Sequence, residues 1–414
     1  MTDIKDLSLD DLLRACAPGG GTALSVTTPL RPAGGPGAVV APARVVDGNS
    51  SVYAYERRLE VDPDTGDAQT VWSVVIDSKQ SVSNRDEAAI DSARREPSTE
   101  EGEALRRVPS IEVTYDGQTW SDLTLPHRAY DGHIRSAFLD GTPVTQTEAY
   151  RAVRDVTKLN ARALVDAAPT ALVWGAWDST RKSHQARFQT CLTGEIIGVL
   201  ADQDTAPSAT TTNRRAAGRV DPVAASVRPE EKVVADLVEQ QAGELSAKLQ
   251  DKILKEAKKK GSAGSSMSTL GLGNIPPSLE GLGGVACRSI TRRRVLSFSA
   301  LRQLRFGGNA EADVAIRALL AAYGLLGMAL SDRELHLRAN CDLVEASRPR
   351  VVLDLRYGDE EERAPISPEV ALEVFTAALD NAEQVAGVEW SGQIMALTGN
   401  QKILGAASTD EPEA

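Results

Sequence analysis

Between Gly281 and Ala310 the chain reads GLGGVACRSITRRRVLSFSALRQLRFGGNA, thirty residues with six arginines and no acidic side chain. The formal net charge of the whole chain is −12, so the remainder carries −18 once those six charges are set aside. Arg288, Arg292, Arg293, Arg294, Arg302 and Arg305 supply planar, permanently charged forks that match phosphate oxygens. The competing reading is a solvated face, or an interface that meets an acidic neighbour. Overall acidity excludes indiscriminate coating of nucleic acid, so any such site must be local.

A second cluster follows two tryptophans. Trp174 and Trp177 precede a polar loop with Arg181, Lys182, His184 and Arg187, four groups able to donate to phosphates. Mixtures of arginine and aromatic rings suit single-stranded RNA, whose bases stack while its phosphates pair. Core packing of both tryptophans is the plainer alternative. A third cluster, Lys79, Gln80, Asn84 and Arg85, sits where a strand end meets a helix N-terminus, a place that favours anions. Ordinary capping explains it equally well. His127, Arg128 and Arg135 form a weaker group that surface charge alone accounts for.

Other chemistries find little support. Four histidines are few for a histidine-dependent enzyme of 414 residues, and His127 and His133 are too far apart for an i, i+4 helical metal pair. HExxH, a Walker A loop and GxSxG are all missing from the sequence. The glycine-rich stretch GLGNIPPSLEGLGG has no strand leading into it and no GK[ST] after it. No metal site, cofactor or catalytic constellation is expected.

The elements that must position these groups read as an α+β fold. Ala23–Leu30, Val71–Ile76, Ile111–Tyr115 and Ala171–Trp177 read as strands, with further strands expected over 334–340 and 351–355. Ser83 to Asp86 matches a capping box that would start a helix running to Glu96. Helices are also expected over 147–167, 229–260, 310–330 and 367–386. The helix over 229–260 would end in Lys258, Lys259, Lys260 and Gly261, cations then glycine. Val314–Leu330 is long and apolar, but Arg317 interrupts it, which favours a core helix over a membrane span. The segments 202–228 and 261–284 read as flexible insertions, and 389–414 as an acidic tail. Four dispersed cysteines without CxxC spacing fit reduced thiols in a cytoplasm. The N-terminus lacks the features of a signal peptide.

Taken in order, DSKQSVSNRDE (77–87), HRAYDGHIRSAFLDG (127–141), VWGAWDSTRKSHQARF (173–188) and RSITRRRVLSFSALRQLRF (288–306) resemble a known family. They are similar to segments of the CRISPR-associated RAMP superfamily, in particular the backbone subunit of the type I-G (formerly I-U) Cascade surveillance complex. The resemblance runs from about residue 20 to 385, with 202–284 matching only as a variable insertion. It implies a modified RRM-like (ferredoxin-like) palm split into 1–201 and 285–388, with inserted finger and thumb elements. It implies crRNA and target DNA as nucleic-acid partners. Its protein partners would be further copies of the chain in a helical filament, a fused guide-processing and cap subunit, and a large subunit. On this resemblance Gln80, Asn84 and Arg85 face the RNA backbone, Arg181, His184 and Arg187 contact phosphates, and Arg292–Arg294 hold the guide along the palm. Type I members are not nucleases. A metal-dependent RAMP endoribonuclease using Asp140 or Asp178 is the alternative, and a protein scaffold without nucleic acid is a third. The sequence departs from the pattern near Gln189, where a basic residue is expected, and in its net charge.

Overall fold

The arginine-rich run forms an eleven-residue strand, and its burial alternates. Ile290, Arg292, Arg294 and Leu296 are buried within Cys287–Ser297, while Arg293 and Val295 are exposed. That period of two is the signature of a strand with one covered face. The protein's structure is a computed structural model that describes residues 4–48, 50–61, 65–181, 186–207, 215–217, 229–260, 270, 278–280 and 283–406.

Eight strands form the main sheet: β1 (Ala23–Pro32), β2 (Tyr55–Val61), β3 (Ala68–Asp77), β4 (Leu192–Leu200), β5 (Cys287–Ser297), β6 (Leu343–Glu345), β7 (Arg350–Asp354) and β8 (Glu360–Arg363). Their spatial order is β8-β7-β1-β5-β4-β3-β2, with β6 pairing along the far end of β1, and every pairing is antiparallel. Register places Thr27 opposite Arg293, and Arg293 opposite Glu195.

Two helices cover one face. α2 (Lys79–Arg94) follows β3, and α3 (Ala310–Arg333) follows β5; α1 (Leu9–Cys16) and α4 (Pro368–Ala386) pack against α3. α3 begins at Asn309, whose side chain accepts from the Ala312 N–H, and it carries Glu311 and Asp313 in its first turn and Arg333 in its last. Those charges complement the helix dipole. α3 and α2 cross closely because Gly327 has no side chain: a Cβ there would lie 2.7 Å from Ile90 Cδ1. Tyr323, Phe375 and Trp390 form an aromatic cluster between α3 and α4, with ring centroids 6.0–6.3 Å apart. α3 is long and apolar enough to cross a membrane, yet here it is the buried core helix. Arg317 is accommodated inside it by donating from Nε and Nη2 to the Leu304 carbonyl.

A second sheet of five strands contains a parallel pair, Ser110–Tyr115 beside Ile394–Thr398. Residues 1–211 and 284–400 form one compact unit, and 212–283 with 401–414 form another. In the second unit, helices Glu231–Gln240 and Ala247–Lys260 enclose Val234, Val238, Ile253, Ala257 and Leu270.

Several local expectations are corrected. The cap of α2 is Ser78, which accepts from the Ser81 N–H, while Ser83 lies inside the helix and donates to the Lys79 carbonyl. Ala171–Trp177 is a turn of helix, Thr170–Val173, followed by a two-residue strand, Ala176–Trp177. The helix over 229–260 is broken at Gln241–Ser246, where Gly243 lies. No strand occupies 334–340, and Ile394–Thr398 is a paired strand rather than tail. The insertions expected over 202–228 and 261–284 fall largely outside the described residues.

One buried carboxyl generates a test. Asp122 is fully buried between the strands Ser110–Tyr115 and Gln118–Ser121 and the core, and it accepts from the Ile111 N–H at 3.1 Å. Burial pushes its carboxyl up to about 6, against the opposing pull of Thr170 and of the Ile111 N–H. The unfolded chain titrates near 3.9, so the native state binds the extra proton between about pH 4 and 6. The stability advantage of the parent over Asp122→Asn should therefore shrink by about 2–3 kcal/mol as pH rises across that window. Urea midpoints at several pH values measure it; a difference that holds steady or grows would mean that Asp122 is ionised in the native protein.

Candidate nucleic-acid interface

Strand alternation divides the arginine triplet. Arg292 and Arg294 point to the helix-covered side and are each only 2% exposed. Arg294 places Nη1 3.1 Å from Asp86 of α2 and Nη2 2.6 Å from Asp332 of α3. Arg292 places Nη2 2.8 Å from Glu345 of β6 and 3.2 Å from Asp332. Burial by itself would lower the Arg294 pKa, but the fields of Asp86 and Asp332 prevail and hold the guanidinium charged. Arg292 and Arg294 are therefore architectural cations, which corrects their assignment to a guide-facing groove. Arg293 alone of the three is exposed on the opposite face.

Other predicted contacts are also spoken for. Arg128 grips Glu87 through two bonds of 2.5 and 2.7 Å and donates to the Gly175 carbonyl. Arg302 donates to the carbonyls of Ala15 and Gly21, fastening α1 to the segment after β5. Arg85 pairs with Asp77 at 2.9 Å and donates to the carbonyls of His336 and Leu337. Arg135 donates to the Thr180 hydroxyl beside Asp178, Arg181 pairs with Asp155 at 2.6 Å, and Arg288 pairs with Glu60. Arg305 lies 3.5 Å from Asp313 and is half exposed. The chain has 58 Asp and Glu against 46 Lys and Arg, and among the described residues more than half of the arginines have a carboxylate partner.

Lys79, Gln80, Asn84, His127, Arg187 and Arg293 remain exposed, while Lys182 and His184 lie outside the described residues. Arg350, Thr27, Arg293 and Glu195 form one rung across β7, β1, β5 and β4 on the face turned away from α2 and α3. With strands about 4.8 Å apart, Arg350 and Arg293 stand roughly 10 Å from one another at their backbones. Arg58 of β2 closes the far end by binding Glu195 at 3.0 Å. That hydrogen bond, joined by the fields of Arg58, Lys79 and Arg293, holds the Glu195 carboxyl below its usual range. Lys79 and Arg293 thus share one neighbourhood, with Arg31 exposed further along β1. Arg31, Arg58 and Arg350 were missed by sequence reasoning; the alternation in YERRLEV and in ALSVTTPLRP was the available signal.

A separate cleft of about 810 Å³ is lined by Asp155, Thr157, Lys158, Arg181, Arg187 and Phe188. The Arg187 guanidinium lies 5.0 Å from the centroid of the half-exposed Trp177 ring, while Trp174 is buried against Tyr323. One tryptophan is core and the other is surface. Asp178 is buried beside Arg135, and Asp140 occupies a turn with φ 49°. Among the described residues no group of three His, Cys, Asp or Glu side chains is placed to hold a metal ion.

Residues 24–203, less than half of the chain, match the model of a family described as CRISPR-associated protein GSU0053. The chain is similar to a CRISPR-associated family. The matched span contains β1 to β4 and α2 and stops before the arginine strand. No curated protein matches the chain.

The two sides of β5 make a contrast that mutation can read. Arg294→Ala leaves Asp86 buried without its countercharge and should cost about 3–5 kcal/mol. Arg293→Ala removes an exposed side chain and should change stability by no more than about 0.5 kcal/mol. Urea denaturation of both variants distinguishes them; similar losses would contradict the assigned faces.

Proposed function

We propose that this chain is a non-catalytic, crRNA-binding backbone subunit of a type I-G CRISPR effector complex. In this reading copies assemble along the guide and present its bases for pairing with target DNA. The observation that carries it is the exposed rung on the face of the main sheet turned away from α2 and α3: Arg293, and Arg350 in a solvent-exposed pair with Glu360, with Lys79 near Glu195 and Arg31 further along β1. Phosphate oxygens are the natural ligands of such groups, and backbone contact is independent of sequence, as a guide-coating subunit requires.

Topology supports the RRM-like palm. In chain order β1, β4, β5 and β7 are first, second, third and fourth, and they lie side by side as fourth-first-third-second. α2 falls between the first and second of these strands and α3 between the third and fourth, both on one face. That order is the one expected of a ferredoxin-like palm, and on this reading β2 and β3 are an inserted hairpin extending one edge. The alternative of a RAMP endoribonuclease is weakened by Asp178, which is committed to Arg135, and by Asp140, which serves a turn. A scaffold without nucleic acid would leave the exposed rung without a role.

The reading is tested on protein purified from cells co-expressing a CRISPR array. RNA of defined repeat-spacer sequence should co-purify with the parent. The double variant Lys79→Ala, Arg293→Ala should bind that RNA more weakly, with the slope of log K against log salt reduced by about 0.7 for each phosphate that it no longer neutralises. Unchanged affinity and slope in this stably folded variant would remove the rung from the interface.

A further inference from the structure

A second cationic surface lies in the unit formed by 212–283 and 401–414, which holds none of the residues that the guide-binding reading uses. The helix Ala247–Lys260, AKLQDKILKEAKKK, holds six lysines against Asp251 and Glu256. In a chain of net charge −12, fourteen residues of net +4 are a concentrated patch. At 100° per residue, Lys248, Lys252, Lys255 and Lys259 fall within an arc of about 60°, opposite the buried Ile253 and Ala257. All four are exposed, as is Lys258 beside them. Their steps of three and four residues correspond to about 4.5–6 Å along the axis, so the row runs for roughly 16 Å.

Three lysines of this helix differ from the buried Arg292 and Arg294 of the main sheet in carrying no ion pair. Lys252, Lys258 and Lys259 have no ion-pair partner among the described residues, and Lys255 meets only Asp251, at 3.5 Å with both side chains in water. So exposed a pair contributes little. A lysine ammonium is a compact point charge with no planar fork, suited to oxygens in any orientation. None of the large apolar side chains exposed on the protein lies on this helix, so it has no wedge to sink into a lipid surface.

We propose that the lysine face of Ala247–Lys260 binds the phosphodiester backbone of nucleic acid, as a site separate from the rung on the main sheet. An evenly spaced row of point charges suits an evenly spaced polyanion better than the irregular carboxylates of an acidic protein. Binding there is insensitive to sequence and sensitive to salt, and it gives the protein a second hold on a strand other than the one lying on the sheet.

The test uses the full chain and fluorescence anisotropy with a short duplex DNA, a single-stranded RNA of the same sequence, and polyglutamate, each over a salt series. Substituting Lys252, Lys255, Lys258 and Lys259 together by Gln should weaken duplex binding at low salt by about tenfold or more, and cut the salt slope by about 0.9 for every phosphate left unneutralised. The same four substituted by Arg should retain binding, which separates charge from folding. Lys79→Ala, Arg293→Ala should keep its duplex affinity while losing RNA, so failure of the guide-binding reading is seen apart from failure of this one. A weakening confined to RNA, with a slope change of about 0.7 per phosphate, would assign the lysine face to single strands with the same chemistry. Unchanged binding of both nucleic acids by the Gln variant, or a weakening confined to polyglutamate, would overturn the proposal.

Discussion

The two guanidinium groups sealed beneath the main sheet govern the rest of the molecule. Arg292 and Arg294 sit where a strand of this length would ordinarily place aliphatic side chains, so each needs a carboxylate delivered to it. α2 must bring Asp86 and α3 must bring Asp332, and β6 adds Glu345 from the sheet edge. Desolvation makes such an array costly, and a mispositioned helix would leave a buried charge unmatched. The array therefore acts on geometry more than on net stability. It fixes where both helices cross the sheet, and Gly327 permits the close approach that follows.

Fixing that side of β5 also fixes the other. Since successive residues alternate, committing Arg292 and Arg294 inward forces Arg293 outward, in register with Thr27 and Glu195 and on the rung of Arg350. Glu195 and Arg58 trim the local positive charge, and Lys79 arrives at the start of the same helix that supplies Asp86. The exposed cations are thus held by elements whose placement is set from underneath. With 58 Asp and Glu against 46 Lys and Arg, the net negative charge of the chain opposes indiscriminate binding of nucleic acid.

Much of the architecture was legible in the chain. The strands at Ala23–Pro32 and Ala68–Asp77, the core helix Ala310–Arg333 and the helix Pro368–Ala386 announce themselves by apolar runs and by Asn309 and Ser367 at their starts. Charge partners were not legible. A run of six arginines looks alike whether its groups face water or carboxylates, and Asp86, Asp332 and Glu345 are distant from them in sequence. The tryptophans show the same limit, since Trp174 is buried against Tyr323 while Trp177 stacks with Arg187 at the surface. Ser83 satisfies a capping pattern, yet Ser78 stands at the true strand-to-helix junction and takes the role. The lysine row reads in the sequence only as a helix terminus, because Lys258–Lys260 stand out as a run while Lys248, Lys252 and Lys255 are scattered among other residue types.

The order of strands within the main sheet has a consequence for how the chain is made. β1 leaves the ribosome well before its two lateral neighbours, β5 and β7, which follow some 260 to 330 residues later. At about 5–20 residues per second, an apolar strand with both edges open waits on the order of tens of seconds for its partners. The second sheet repeats the pattern, because Ser110–Tyr115 pairs with Ile394–Thr398, some 280 residues later. Nascent chains of this protein therefore pass through a long interval in which neither the main sheet nor the second sheet can be completed, although β2, β3 and β4 can already pair.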